Sequence, residues 1–115
     1  MSVLKYAMTL DGKIATCGGH SAWVSSPESR AKVFTARGES DAVIVGGNTV
    51  RRDNPNLTTR REVPQVLDRA GVAVGPHTPA RVVLSRTLDL PEEANLWNTG
   101  VAPTIVMTQR GARRE

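Results

Sequence analysis

The pattern of apolar and polar positions predicts an alternation of strands and helices. Apolar runs rich in β-branched residues predict strands at 3–9, 42–45, 81–84 and 104–107, and a short extended piece at 13–16. Ser26-Pro27 predicts the start of a helix that continues to about Arg37 and stops at Gly38. Shorter helices are expected at 49–52 and 91–97. The alternation indicates an α/β layered fold with a largely parallel central sheet.

Residues 61–79 form the longest stretch without a clear periodic pattern. The stretch mixes charged residues with Gly71, Gly75, Pro76 and Pro79, and a helical turn is expected only at 66–70. A connection of this length in a small domain is usually functional or inserted. The 115 residues fit one domain, and residues 111–115 resemble the start of another element.

Composition narrows the class of protein. Hydrophobic residues make up 39% and charged residues 23%, as in an ordinary globular protein. No apolar run approaches the length of a membrane span, and no signal peptide opens the chain. We therefore expect a soluble cytoplasmic protein that does not bind membranes. A plastid location is the alternative if the chain is part of a longer algal or plant protein.

The net charge favours a small anionic ligand over nucleic acid. Fifteen basic and eleven acidic residues give a charge of +4. Nucleic-acid modules usually combine positive charge with stacking aromatic side chains, but the four aromatic residues here do not cluster. They are Tyr6, Trp23, Phe34 and Trp97. We expect no nucleic-acid partner.

The cysteine and histidine residues of the sequence do not predict a metal site. The single cysteine, Cys17, excludes an internal disulfide and a cysteine-cluster metal site. His20 and His77 lie in loop-like sequence without metal-ligand spacing. We therefore expect no bound metal and interpret Cys17 as an inert loop thiol.

The stretch from Asp41 to Arg60 carries the strongest signal for a ligand. Its buried strand ends at Gly46-Gly47, which allows close approach of a ligand to the backbone, and Thr49 offers a hydroxyl in the next turn. Strands that end in a glycine turn and a helix start often bring backbone N–H groups to an anion. The pattern is neither a G-x-G-x-x-G fingerprint nor a P-loop.

Other polar residues have a functional and a structural interpretation. Lys5 is either a solvent-facing strand residue or a proton donor in a cleft. Ser21 and Trp23 precede a helix start and either bind an anion or serve capping and core packing. Arg37 and Arg60 can each bind a phosphate in a bidentate manner, although single arginines are more often surface residues.

Three motifs together resemble the reductase domain of riboflavin biosynthesis, the C-terminal half of a bifunctional pyrimidine deaminase/reductase. They are Lys5 through Ala15, Ser21 through Ser26, and Asp41 through Arg60, in an ordered similarity that covers Val3 to Thr108. The resemblance implies a dihydrofolate-reductase-like fold. It also implies the use of NADPH to reduce the ribosyl group of 5-amino-6-(5-phosphoribosylamino)uracil to a ribityl group.

The resemblance also assigns roles to residues. It implies that Lys5 assists catalysis at the reacting ribose. It places Ala7, Trp23, Thr49 and Asp53 against NADPH, and Ser21, Arg37, Leu57 and Arg60 around the phosphorylated pyrimidine substrate. Many relatives have an aspartate where this chain has Ser85. We assign Ser85, together with Gly46, to the cofactor side.

The family's domain extends well beyond the position of Glu115, to a glycine-rich cofactor-binding segment and an acidic residue near the substrate. The resemblance therefore predicts that residues 1–115 are the N-terminal part of a reductase domain, incomplete at the C-terminus and without a deaminase domain. It also implies a homodimer. Two alternatives are a catalytically dead or partner-dependent fragment and a generic dihydrofolate-reductase-like enzyme.

Overall fold

The computed structural model describes residues 1–59 and 78–112. The chain divides into two compact units, residues 1–33 and 34–115. The elements in chain order are helix α1 (Pro27–Gly38), strand β1 (Ala42–Gly46), helix α2 (Gly47–Asp53), strand β2 (Ala80–Leu84), a 3-10 helix (Asn95–Trp97) and strand β3 (Thr104–Met107). The predicted helical turn at 66–70 lies outside the described residues.

The second unit contains a parallel sheet with the strand order β1-β2-β3. Val45 is in register with Val83, and Val83 with Val106. Paired residues of neighbouring strands point to the same face, so these three valines share one side of the sheet. The predicted parallel α/β arrangement is confirmed.

The hydrophobic core of this unit lies against the face that carries those valines. Buried residues from α2, β2 and the chain after β2 form one cluster: Val50, Val83, Leu90, Ala94 and Leu96. Val45 and Val106 pack against the cluster, together with Leu88 and Trp97. The core therefore joins the sheet to α2 and to the 3-10 helix.

The other face of the sheet carries Ile44, Leu84, Ile105 and Met107, each at least half exposed in the described residues. Their register pairs Ile44 with Val82 and Val82 with Ile105, and Leu84 with Met107. Alternation along each strand thus separates a packed face from an open apolar face.

Helix α1 begins where the sequence predicts. The Ser26 hydroxyl accepts a hydrogen bond from the Ser29 N–H at 3.1 Å, so Ser26 is the N-cap. Helix α2 begins at Gly47, two residues earlier than predicted. It ends in a left-handed Asn54, whose N–H donates to the Val50 carbonyl. Asparagine tolerates this conformation better than most residues.

The helix predicted at 91–97 is shorter in the structure. Only Asn95–Trp97 is helical, and it is a 3-10 helix. The N–H of Asn95 donates instead to the side chain of Asn54 at 2.8 Å, and the indole N–H of Trp97 donates to the Pro91 carbonyl at 2.8 Å. The Asn95 bond uses a backbone donor that a longer helix would direct to a carbonyl of its own preceding turn.

The first unit contains two tight turns and the start of α1. The Thr9 N–H donates to the Lys13 carbonyl around Asp11-Gly12, and Gly12 has a φ of 80° that favours glycine. A second turn joins the Thr16 N–H to the His20 carbonyl. The strand predicted at 3–9 and the extended piece at 13–16 are wrong, since neither segment pairs with a strand among the described residues.

Candidate functional site

The carboxyl edge of the sheet brings together the residues that follow β1 and β2. Because the strands are parallel, Gly46 and Leu84 end at the same edge and are in register. The next residues, Gly47 and Ser85, are in close contact. A Cβ added to Gly47 would lie 3.1 Å from the Ser85 Oγ and 3.2 Å from its Cβ. Ser85 is buried at this contact.

Gly46 is open where Gly47 is tightly packed. A Cβ added to Gly46 would meet no atom within 4 Å, so a ligand can approach the backbone there. Thr49 is half-buried in the first turn of α2, and Asp53 is exposed four residues later. Residues four apart share a helix face, so Thr49 and Asp53 lie on one side of α2. The structure thus groups four predicted cofactor residues around β1, β2 and α2.

Residues 54–59, which we call the linker segment, follow α2. Asn54 and Leu57 both have positive φ, 41° and 54°. Leu57 is 3% exposed, so it anchors the linker segment in the protein interior and offers little surface to a substrate. Its predicted role at the substrate remains a prediction. Arg60 lies outside the described residues.

Three side chains hold alternate carbonyls of the linker segment. The Asn54 carbonyl accepts from Asn95 Nδ2 at 2.9 Å, and the Asn56 carbonyl accepts from Arg81 Nη1 at 3.4 Å. The Thr58 carbonyl accepts from Arg37 Nη1 at 3.2 Å. The conformation of the linker segment is therefore fixed by residues far away in sequence.

Arg37 brings a positive charge to the linker segment. Its guanidinium is half-buried in the last turn of α1 and lies 5.3 Å from the ring centroid of Phe34. Burial lowers the pKa of Arg37 from its ordinary value, although a guanidinium remains charged at neutral pH. The bond to Thr58 uses one N–H, and the rest of the fork is suited to an anion.

The sequence pattern placed Arg81 in a strand but predicted no further role for its side chain. It is 1% exposed and donates to the carbonyls of Asn56, Asn95, Leu96, Asn98 and Ala102 at 2.8–3.4 Å. Burial lowers its pKa. The available signal was its position two residues before Val83, on the packed face of a buried strand.

The first unit contains four predicted site residues. Lys5 is exposed and Ala7 is half-buried. The Ser21 hydroxyl donates to the Ile14 carbonyl at 2.7 Å. Trp23 is 82% exposed with a φ of 60°, and the Arg30 guanidinium lies 4.8 Å from its ring centroid. Trp23 is therefore a surface residue whose ring makes a cation–π contact with Arg30, and it is not part of a core.

No group of three or more histidine, cysteine, aspartate or glutamate residues suited to a metal occurs in the part of the chain that the structure describes. Cys17 is exposed. No described helix is long and apolar enough to cross a membrane.

Comparison with known proteins identifies relatives along nearly the whole chain. The model of the RibD C-terminal domain matches residues 2–115. The riboflavin biosynthesis protein PYRR, chloroplastic, of Arabidopsis thaliana is 58% identical over 113 residues, which are 98% of this chain and 17% of that protein. The riboflavin biosynthesis protein RibD of Synechocystis is 52% identical over 97% of this chain and 27% of that protein.

Solved structures give the same result. The diaminohydroxyphosphoribosylaminopyrimidine deaminase/5-amino-6-(5-phosphoribosylamino)uracil reductase of Thermotoga maritima is 34% identical with a TM-score of 0.72. The match covers 96% of this chain and 28% of that one. The chain thus spans between about a sixth and about a quarter of the length of these relatives.

Proposed function

Because this chain belongs to the RibD C-terminal domain family, we propose that it takes part in riboflavin biosynthesis as an NADPH-dependent reductase. The proposed reaction converts the ribosyl group of 5-amino-6-(5-phosphoribosylamino)uracil to a ribityl group. The observation that carries the proposal is the half-buried Arg37 guanidinium, which donates to the Thr58 carbonyl of the linker segment. The dihydrofolate-reductase-like fold predicted from the sequence is the fold of these relatives.

The substrate side of the proposed site centres on Arg37. A ribose phosphate carries a dianion that matches the fork of N–H groups on a guanidinium. Partial burial lowers the local dielectric constant and strengthens the attraction between the two charges. The Thr58 carbonyl orients the guanidinium through a 3.2 Å hydrogen bond. We assign Arg60 to the same phosphate, as the sequence predicts.

The cofactor side fits the open backbone at Gly46. A phosphate or ribose can approach a residue without a side chain, and a Cβ there meets nothing within 4 Å. Thr49 offers a half-buried hydroxyl in the first turn of α2, and Asp53 offers an exposed carboxylate on the same side of that helix. We assign Ser85 to the cofactor side as well, although its buried side chain packs against Gly47. NADPH, when bound, supplies the hydride. We assign Ala7 and Trp23 to the cofactor as well.

Reduction of the ribosyl group requires a proton as well as a hydride. A bond from hydrogen to the anomeric carbon forms, the bond from that carbon to the ring oxygen breaks, and a proton is taken up at the sugar. We assign proton donation to the exposed Lys5 ammonium and a sugar hydroxyl contact to Ser21.

The partners and the location of this protein are also part of the proposal. We propose a small phosphorylated pyrimidine as the substrate, no nucleic acid or membrane as a partner, and a homodimer as the assembly. The plant relatives are chloroplastic by name, which supports the plastid alternative over the cytoplasmic one for this chain.

The test compares three substrates in an assay that follows loss of NADPH absorbance. We expect turnover with the phosphorylated pyrimidine and no turnover with dihydrofolate. We also expect a KM about tenfold to a hundredfold higher for the dephosphorylated pyrimidine. This substrate lacks the charged phosphate contact, which contributes a few kcal/mol to the binding free energy. Turnover of dihydrofolate instead would support a generic dihydrofolate-reductase-like enzyme. A failure of all three substrates, with no NADPH binding by fluorescence, would support a dead fragment.

A variant of Arg37 tests whether this residue binds the substrate phosphate. Arg37→Met should raise the KM of the phosphorylated substrate by a similar factor and leave the KM of the dephosphorylated one nearly unchanged. An equal rise for both substrates would contradict a phosphate contact at Arg37.

A further inference from the structure

We propose that Asn95 is a positioning residue for the phosphate end of the substrate, acting through the linker segment. This role of Asn95 rests on the proposed function, because it concerns how the phosphate site is held in place. Asn95 lies at the start of the 3-10 helix and is exposed, and none of the predicted site residues is nearby in sequence. It nevertheless controls the backbone that leads from α2 to Thr58.

Asn95 and Asn54 form a reciprocal pair. The backbone N–H of Asn95 donates to Asn54 Oδ1 at 2.8 Å, and the Asn95 side-chain amide donates to the Asn54 carbonyl at 2.9 Å. Two bonds between the same two residues fix orientation as well as distance. Asn54 is also the left-handed residue that ends α2, so the pair sets the direction in which the chain leaves the helix.

Arg81 connects Asn95 to the middle of the linker segment. Its Nη1 donates to the Asn95 carbonyl at 3.2 Å and to the Asn56 carbonyl at 3.4 Å. Because Arg81 is buried in β2, the sheet itself supports both contacts. A displacement of Asn95 therefore changes the position of Asn56 as well as that of Asn54.

The linker segment needs this support because its backbone is strained. Leucine is unfavourable at the φ of 54° that Leu57 adopts, and such conformations persist only where the surroundings enforce them. The next residue, Thr58, presents its carbonyl to Arg37. Loss of the Asn95 contact allows the segment to relax, and the relaxation moves the partner that orients Arg37.

The test replaces Asn95 by alanine in the protein and measures steady-state kinetics. Asn95→Ala should raise the KM of the phosphorylated pyrimidine about tenfold, because the lost contact contributes about as much free energy as one hydrogen bond. The values of kcat and of the KM for NADPH should stay within about threefold of the parent. Asn95→Asp should behave like the alanine variant, since aspartate lacks the donor for the Asn54 carbonyl. Asn98→Ala is the matched control, because that side chain makes no hydrogen bond in the described residues, and its kinetics should not change.

A second readout separates this inference from the proposed function. Calorimetry with ribose 5-phosphate measures the phosphate site without turnover, and Asn95→Ala should weaken its binding about tenfold while Asn98→Ala does not. Tight binding by the parent protein without any reductase activity contradicts the proposed function alone. Unchanged ribose 5-phosphate affinity in Asn95→Ala, or a fall in kcat without a change in KM, overturns the role of Asn95.

Discussion

The guanidinium of Arg81 organises the backbone around the proposed phosphate site. A buried charge is costly unless its donors are satisfied. Here five carbonyl oxygens accept from Nη1 and Nη2, while the buried Nε has no partner among the described residues. Those carbonyls belong to the linker segment and to residues 95–102. One side chain therefore holds two loops in place from within β2. The lowered pKa of Arg81 reflects the same burial.

Arg81→Met should destabilise the protein strongly. Methionine fills a similar space but removes the arginine donor from the carbonyls of Asn98 and Ala102, and one of two donors from the carbonyl of Leu96. We expect a loss of about 3–5 kcal/mol in the free energy of unfolding. Urea unfolding followed by circular dichroism measures it. Arg86→Met, at an exposed neighbour, is the control and should change the free energy by less than about 0.5 kcal/mol.

The two glycines after β1 should respond in opposite ways to alanine. Gly47→Ala places a methyl group 3.1 Å from Ser85 Oγ and 3.3 Å from Leu90 Cδ2, and we expect a loss of about 1–3 kcal/mol in stability. In Gly46→Ala the added methyl group contacts no neighbouring atom, so the variant should be as stable as the parent protein. It should raise the KM of NADPH instead, because the methyl group occupies the open approach to the backbone. Equal thermal melting of both variants would contradict the packing described here.

At the level of elements, local signals predict a structure well where no distant contact competes. Ser26-Pro27 defines the start of α1, and the β-branched runs define β1, β2 and β3. The helix predicted at 91–97 fails because Asn95 bonds to Asn54, 41 residues away in sequence. The strand predicted at 3–9 fails because a strand needs a partner that pattern alone does not supply.

Helix α1 should contribute a stability that depends on pH through Glu28. Hydrogen bonds from its own backbone N–H and from the Ser26 hydroxyl lower the pKa of Glu28 below 4.5. A carboxylate with a lowered folded-state pKa stabilises the protein above the unfolded pKa, and the contribution is lost as the pH falls through the folded pKa. The parent should therefore be more stable than Glu28→Gln at about pH 6, and the gap should shrink as the pH falls below the ordinary pKa of glutamate.

Urea unfolding of both proteins across this pH range measures the gap. A gap of constant size at every pH would show that the carboxylate charge is not its source.

For the whole molecule, the sequence predicts the fold and the family but only part of the site's construction. The resemblance in three motifs led to the RibD C-terminal domain, which the comparisons confirm. Gly46 and Leu84 end at one edge of the sheet because the strands are parallel, and this brings Gly47 against Ser85. The supports of the linker segment were not predictable, since Arg81 reaches carbonyls 14 to 25 residues away and periodicity carries no such information.

The most direct test of the proposed reduction follows the hydride itself. The protein is incubated with 5-amino-6-(5-phosphoribosylamino)uracil and NADPH that carries deuterium at the transferred position, and the product is analysed by mass spectrometry and NMR. We expect one deuterium on the former anomeric carbon of an open-chain ribityl product. Deuterium in the pyrimidine ring, or oxidation of NADPH without label in the sugar, would contradict the proposed reduction.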